Sequence, residues 1–306
     1  MKFSIYQESR QGGRSNNEDR LAYSYSREAI LMVVADGMGG HDNGEIASQI
    51  AVQVLMDGFQ REAKPAIEDP YYFLQKYLNH AHNSILKYAT KHYLAECPRT
   101  TVVACVIQHN IAYWAHAGDS RLYLFRNGKP LSQTRDHSRI RLMLDAGIVS
   151  PAAAQNHPDR NKVYSCLGGS QNPEIEFSRK TPLAAGDILL LCTDGFWAGL
   201  PPEMLAADLE KKELAQAIPP LMAQAEKING PGSDNLSVIA LRWAENYVEA
   251  AGSTIFSQTM GLDDMATNMQ GVDGVRSLSS NHFSDDDIER AIEEIRLAIN
   301  KTTPRK

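Results

Sequence analysis

Apolar, β-branched and aromatic residues gather into nine short runs, at 2–7, 21–26, 30–35, 101–108, 111–117, 121–126, 174–179, 187–192 and 235–243. Helical stretches do not alternate with them one by one. They come in pairs, about 44–60 with 70–95 and about 203–210 with 212–228, and a shorter helix is expected over 138–146. A parallel sheet needs a crossover, usually a helix, between successive strands, so this order excludes a regular βαβ array. Turn signals point the same way. Gly118-Asp119-Ser120 joins two of the runs as a hairpin would, and Asn127-Gly128 is a strong short-range hairpin signal. The expected class is α+β, with antiparallel sheets covered by helices.

The chain has 306 residues and a formal charge of −6, enough length for a sizeable core without a disulfide or zinc staple. Its apolar runs are far shorter than the roughly 20 residues of a membrane span, and its first residues carry no long apolar leader, so neither a membrane protein nor a secreted one is expected. Cys97, Cys105, Cys166 and Cys192 form no CxxC pair and read as reduced thiols of a cytoplasmic protein. Residues 244–306 hold 11 acidic and 6 basic side chains, so nearly all the excess negative charge lies there. The remaining 1–243 is almost balanced and shows no electrostatic footprint for nucleic acid. From 244 to 283 the chain reads as a flexible linker rich in Ser, Gly, Asn and Met. From 284 to 300 apolar residues at 288, 291, 292, 295, 298 and 299 predict an amphipathic helix, capped by Ser284 and favoured by Asp285 to Asp287 at its N-terminal dipole. A body over 1–243, a linker and a C-terminal helix are therefore expected.

Carboxylates stand where the apolar runs stop. Asp36 follows LMVVA and precedes Gly37-Met38-Gly39-Gly40. Asp194 follows ILLLCT and precedes Gly195, Asp119 follows AYWAHAG, Asp234 precedes the run LSVIALRW, and Asp19 follows Asn16-Asn17-Glu18. A single Asp-Gly after a strand is more often a turn than a ligand. Several carboxylates meeting in one place would repel and raise one another's pKa unless a cation neutralised them, and all-oxygen ligands suit Mg²⁺ or Mn²⁺.

The wording of these segments carries more than their chemistry. RSNNEDR at 14–20, DGMGGHDNGE at 36–45, TTVVA at 100–104, GDSRLYLFRNG at 118–128, DHS at 136–138, LGG at 167–169, GDILLLCTDGFW at 186–197 and SDNLSVIA at 233–240 resemble, in order and spacing, the motifs of the metal-dependent protein phosphatases of the PP2C type, in their bacterial form. The resemblance covers about 1–243. It implies a four-layer αββα sandwich of two antiparallel sheets flanked by helices. It implies hydrolysis of phosphoserine and phosphothreonine in proteins, with Asp36, Asp194, Asp234 and Arg14 as the catalytic set.

By the same resemblance Asp36 bridges two ions, Mn²⁺ or Mg²⁺, the carbonyl of Gly37 completes one site, and Asp194 and Asp234 serve the other. Glu18 and Asp19 match positions that hold metal-bound waters. Asp119 matches a ligand for a third, weaker ion shared with Asp194. Arg14 matches the arginine that holds the substrate phosphate, and a guanidinium offers a planar two-pronged donor to phosphate oxygens. Two ions sharing a water make a hydroxide at neutral pH, so no protein nucleophile is required. No Cys has an Arg six positions later, and GxxxxGK[ST] and HExxH are absent.

One position departs from the pattern. Where eukaryotic members often carry His after the first Asp-Gly, this chain has Met38, which cannot donate a proton; His41, three residues on, is a candidate substrate contact. His116 and His137 read as structural. The stretch 147–165 matches the variable flap beside the family's active site, and reads either as a lid or as an inert surface loop. Phosphorylated proteins, a Ser/Thr kinase or its substrate among them, are the implied partners of a monomeric, cytoplasmic enzyme. A fold-keeping binding protein should have lost ligands that are present here, and a metal-dependent nuclease should carry a more basic body.

Overall fold

A computed structural model describes residues 1–38, 43–154, 157–244, 256–259 and 266–270. The strands in chain order are β1 (Lys2–Arg10), β2 (Arg20–Tyr25), β3 (Ala29–Ala35) and β4 (Gly37–Met38), followed by helices α1 (Gly44–Glu62) and α2 (Pro70–Lys91). Next come β5 (Arg99–Thr100), β6 (Val102–Gln108), β7 (Ile111–Ala117), β8 (Arg121–Arg126) and β9 (Lys129–Gln133), then α3 (Arg139–Asp145) and α4 (Pro151–Ala154). The last part holds β10 (Glu176–Phe177), β11 (Thr181–Pro182), β12 (Ile188–Cys192), α5 (Asp194–Trp197), α6 (Pro202–Lys211), α7 (Leu214–Asn229), β13 (Leu236–Ala244), β14 (Phe256–Thr259) and β15 (Ala266–Gln270).

Two antiparallel sheets result. One has the order β15-β1-β13-β12-β8-β9, the other β10-β7-β6-β3-β2-β14 with β11 also on β7; β4 and β5 form a small ribbon apart. Three apolar cores show how they stack. Alternate residues of facing strands, among them Ile5, Met32, Cys105, Trp114, Leu124, Leu191 and Trp243, fill the space between the sheets. The other faces of β3 and β6 (Leu31, Val33, Val102, Ala104) pack on α1 and α2. The other faces of β8 and β12 (Tyr123, Phe125, Leu190, Cys192) pack on α6 and α7. The layers are helix, sheet, sheet, helix, as expected. Burial on both faces explains why β3 and β12 read as unbroken apolar runs rather than alternating ones.

The expected hairpin between β7 and β8 does not form. β7 pairs with β6, β10 and β11, and β8 pairs with β12 and β9, so the chain crosses from one sheet to the other at Gly118-Asp119-Ser120. Gly118 has φ 116°, and a Cβ there would lie 2.6 Å from Thr101 Cβ, so the step suits a residue without a side chain. The Asn127-Gly128 turn does close a hairpin, with φ 51° and 66° and Arg126 opposite Lys129, the left-handed pair such a turn needs. Within the stretch read as linker, β14 adds to β2 and β15 to β1 as edge strands. Such additions are held by backbone pairing and need no apolar period, so composition gave no sign of them. The expected helix over 284–300 lies outside the described residues.

Candidate metal centre

Strand register brings the motif carboxylates to one end of the sandwich. Arg20, next to Asp19, pairs with Ala35, next to Asp36; Val102 pairs with Ala117, two residues before Asp119; Cys192, two before Asp194, pairs with Arg121 and with Val238. Asp234 precedes the start of β13, where Leu236 lies opposite Arg10.

Close backbone approaches tighten this end. A Cβ on Gly37 would fall 2.4 Å from the Gly44 carbonyl oxygen, and one on Gly195 would fall 2.1 Å from that of Asn235. These two glycines let the segments bearing Asp36 and Asp194 approach their neighbours. The Asp36 carbonyl is held by Thr101 N–H at 2.9 Å and Thr100 Oγ1 at 2.8 Å, and Thr101 Oγ1 is bonded to Ser120 Oγ at 2.7 Å. Asp194 opens the short α5. Asp119 is buried in the sheet-crossing step, and its carbonyl accepts from Trp197 Nε1 at 2.9 Å. The guanidinium of Arg121 lies 3.4 Å above the Trp197 ring and grips Asp136 with two bonds of 2.7 Å.

The carboxyl groups work against one another. Burial first, then Asp19, Asp194, Asp119 and Asp234, hold the Asp36 carboxyl well above the ordinary carboxylate range. Burial and then Asp194 do the same to Asp119. Burial raises Asp194 to about 6, with Asp234 adding to it. Asp19 is pushed up to about 7 by burial, Thr193 and Ser237 opposing, and Glu18 to about 7 by burial and then Glu45. Asp19 Oδ1 and Asp194 Oδ1 are buried with no hydrogen-bond partner. Such a set of unneutralised oxygens fits a hard divalent cation, as Mg²⁺ or Mn²⁺ would be.

Arg14 stands at the rim, its side chain 56% exposed, and donates to Asp234 Oδ2 at 2.7 Å. Its loop is drawn onto the 231–235 segment by Gly12 and Gly13, where added Cβ atoms would fall 2.2 Å from the carbonyl oxygens of Asp234 and Pro231. Met38 is half-buried in β4 and offers no proton. His41 lies outside the described residues. At the base of the flap, Ser138 bridges to Val163, and Lys162 pairs with Asp159 at 2.5 Å.

Two positions escaped the sequence reading. Asn235 Oδ1 accepts the Glu18 N–H at 2.9 Å, while its Nδ2 donates to the carbonyls of Gln11 at 2.8 Å and Asn16 at 2.9 Å. One buried amide thus fixes the whole 11–18 loop. Thr193 Oγ1 donates to Asp19 Oδ2 at 2.9 Å and accepts the Ser237 N–H at 3.0 Å, tying Asp19 to the step between β12 and Asp194. The available signal was a polar residue directly beside a candidate ligand at the end of an apolar run.

Residues 7–237 match the family model for protein phosphatase 2C. The serine/threonine phosphatase stp of Listeria innocua is 31% identical over 229 residues, covering 74% of this chain and 90% of that protein. A Streptococcus agalactiae serine/threonine phosphatase superposes with a TM-score of 0.71 at 26% identity, over 79% of this chain and all of that one. The catalytic domain of PstP, a serine/threonine protein phosphatase solved with two manganese ions, superposes with a TM-score of 0.67 at 28% identity, over 79% of this chain and all of that one.

Proposed function

The chain belongs to the protein phosphatase 2C family, and on that premise we propose that its aspartate cluster is the active site, with Asp36, Gly37, Asp194 and Asp234 holding two divalent ions. The enzyme is a metal-dependent protein serine/threonine phosphatase acting in signalling, and its cofactor is Mn²⁺ or Mg²⁺. The ions, when bound, neutralise the carboxylates and lower the pKa of water so that a nucleophile is available at neutral pH.

The chain's own residues do the rest. Arg14 presents guanidinium N–H groups beside the cluster, where they orient a phosphate monoester and offset its charge. Asp119 is assigned to a third, weaker ion, with Asp194 as its shared ligand. Glu18 and Asp19 act through ordered water, with Thr193 and Asn235 keeping them in place. His41 is assigned to substrate. Met38, directly after the first Asp-Gly, cannot itself donate a proton to the leaving serine or threonine oxygen.

Phosphorylated proteins are the substrates; a Ser/Thr kinase or its target is the proposed partner of a cytoplasmic monomer. No helix of the described residues is long and apolar enough to cross a membrane. The proposed organisation keeps 1–243 as catalytic domain, 244–283 as linker and 284–300 as an amphipathic helix. The observation that carries the reading is the group of buried carboxyls held far above their ordinary pKa at one end of the sandwich. It is tested by phosphate release from a phosphothreonine peptide. Release should require Mn²⁺, stop with EDTA, and fall at least ~100-fold in Asp36→Asn or Asp194→Asn. Full activity in either variant overturns it.

A further inference from the structure

The two histidines that read as structural meet a third ligand type. His116 on β7 lies opposite Glu176 on β10, so both side chains share one face. The His137 ring lies tilted against that of His116 with centroids 4.5 Å apart, and it stacks with the Tyr164 ring at 5.4 Å. One donor atom from each of His116, His137 and Glu176 lies within 4.8 Å of the other two.

Their hydrogen bonds leave a gap. His116 Nε2 faces the Arg135 carbonyl at 2.8 Å, which puts the ring proton on Nε2. Nδ1 is then a bare lone pair, and it is buried with no partner on a residue only 2% exposed. A histidine whose other nitrogen donates to a backbone carbonyl is oriented as metal-ligating histidines are. His137 Nε2 and Glu176 Oε2 stand 3.5 Å apart. That is long for a strong N–H···O bond. It is close to the about 3.3 Å expected between two ligands each about 2.0 Å from a tetrahedral ion. We propose that His116, His137 and Glu176 form a binding site for a transition-metal dication of the zinc class, chemically separate from the all-oxygen aspartate cluster.

The donor set decides the class. Two imidazoles and one carboxylate select zinc-like ions over Mg²⁺ or Ca²⁺, and three protein ligands leave a fourth position for water. Glu176 is 53% exposed at its side chain, which gives an ion a way in. Burial lowers the pKa of both histidines, so they are in the neutral, ligating form at neutral pH. Binding at His137 Nε2 moves the ring proton to Nδ1 and gives up a 3.4 Å contact from Gly118 N–H, which is long and weak. A bound ion would clip together β7, the 135–138 segment and β10, next to the step that carries Asp119.

Cobalt(II) reports such a site directly. Added to the full-length protein in saturating Mg²⁺, one equivalent should give the intense visible absorption of four-coordinate cobalt with nitrogen ligands, and Zn²⁺ should bleach it. Octahedral all-oxygen sites absorb only weakly, so the aspartate cluster does not imitate this signal. Glu176→Ala, at an exposed position, should weaken cobalt binding at least ~tenfold, and His137→Asn should abolish the band. Both variants should keep their fold by circular dichroism and their Mn²⁺-dependent phosphatase activity. Absence of the band in the unmodified protein overturns the proposal, as does a band unchanged by either substitution.

Discussion

Asp19 shows what the end of the sandwich costs without metal: it is 3% exposed, accepts from Thr193 at 2.9 Å, and still has one oxygen with no hydrogen bond. With Glu18 and Asp19 raised to about 7 and Asp194 to about 6, the folded, metal-free protein holds protons that the unfolded chain releases near pH 4. Folded pKa values above unfolded ones stabilise the fold at low pH, and that stability is lost as pH rises through 6 to 7. His116 and His137, whose values are lowered, act in the opposite direction, and in protein freed of zinc-class ions beforehand they do so in both arms of the comparison. The difference in Tm between Mn²⁺-loaded and EDTA-treated protein should therefore widen from pH 5 to pH 8. A gap that stays flat or narrows in a thermal-shift series would count against the carboxylates as its source. Arg14 gives a second expectation at this scale. Arg14→Ala should raise KM for a phosphopeptide at least ~tenfold, and Arg14→Lys should recover little of it, because an ammonium lacks the planar fork. Full recovery by lysine in steady-state kinetics would reduce Arg14 to a point charge.

Between elements, the contact that matters most joins the start of α5 to the start of β13. Gly195 sits there with no room for a methyl group, its Cβ position 2.1 Å from the Asn235 carbonyl. Gly195→Ala must push Asp194 and Asp234 apart, so it should raise the Mn²⁺ concentration needed for half-maximal activity by ~tenfold or more, while Tm falls by only a few degrees. Unchanged Mn²⁺ dependence would show that the pair need not be so close. The same element scale separates what was legible in the sequence from what was not. Runs such as AILMVVA and ILLLC announce strands buried on both faces, and the helix expected over about 70–95 is α2, where the Asp69 side chain accepts from Tyr71 and Tyr72 N–H. Gly118-Asp119-Ser120 looks like a hairpin turn because a turn and a sheet-to-sheet step use the same residues; only the partners of β7 and β8, distant in sequence, distinguish them. The aspartates were legible because they interrupt apolar runs. Asn235 was not, since its three bonds to the 11–18 loop depend on a fold that brings positions over two hundred residues apart together.

For the molecule as a whole, the −6 formal charge is mostly a property of 244–306, while the described residues that build the three apolar cores all precede 244. What lies beyond contributes β14 and β15, each pairing by its backbone with the outer edge of one sheet. The backbone pairing of four and five residues at these edges contributes far less than the cores they border, where each buried Leu, Ile or Phe adds about 1.5–3 kcal/mol. A chain ending at Ala244 should therefore fold and hydrolyse a small phosphoester in Mn²⁺ at close to the full-length rate. It should lose the ~2–4 °C in Tm that corresponds to about 1 kcal/mol in a domain of this size. It also exposes β1 and β2 as free edges, so it should aggregate more readily at high concentration. Phosphoprotein turnover provides the complementary reading. The truncated body is nearly balanced in charge, and two divalent ions leave it about three units positive. Removing the acidic tail should thus leave kcat for a phosphopeptide unchanged and lower its KM at low ionic strength, an effect that 0.5 M salt, roughly, removes by screening. Collapse of small-phosphoester activity on truncation would instead make β14 and β15 part of what holds the metal end together.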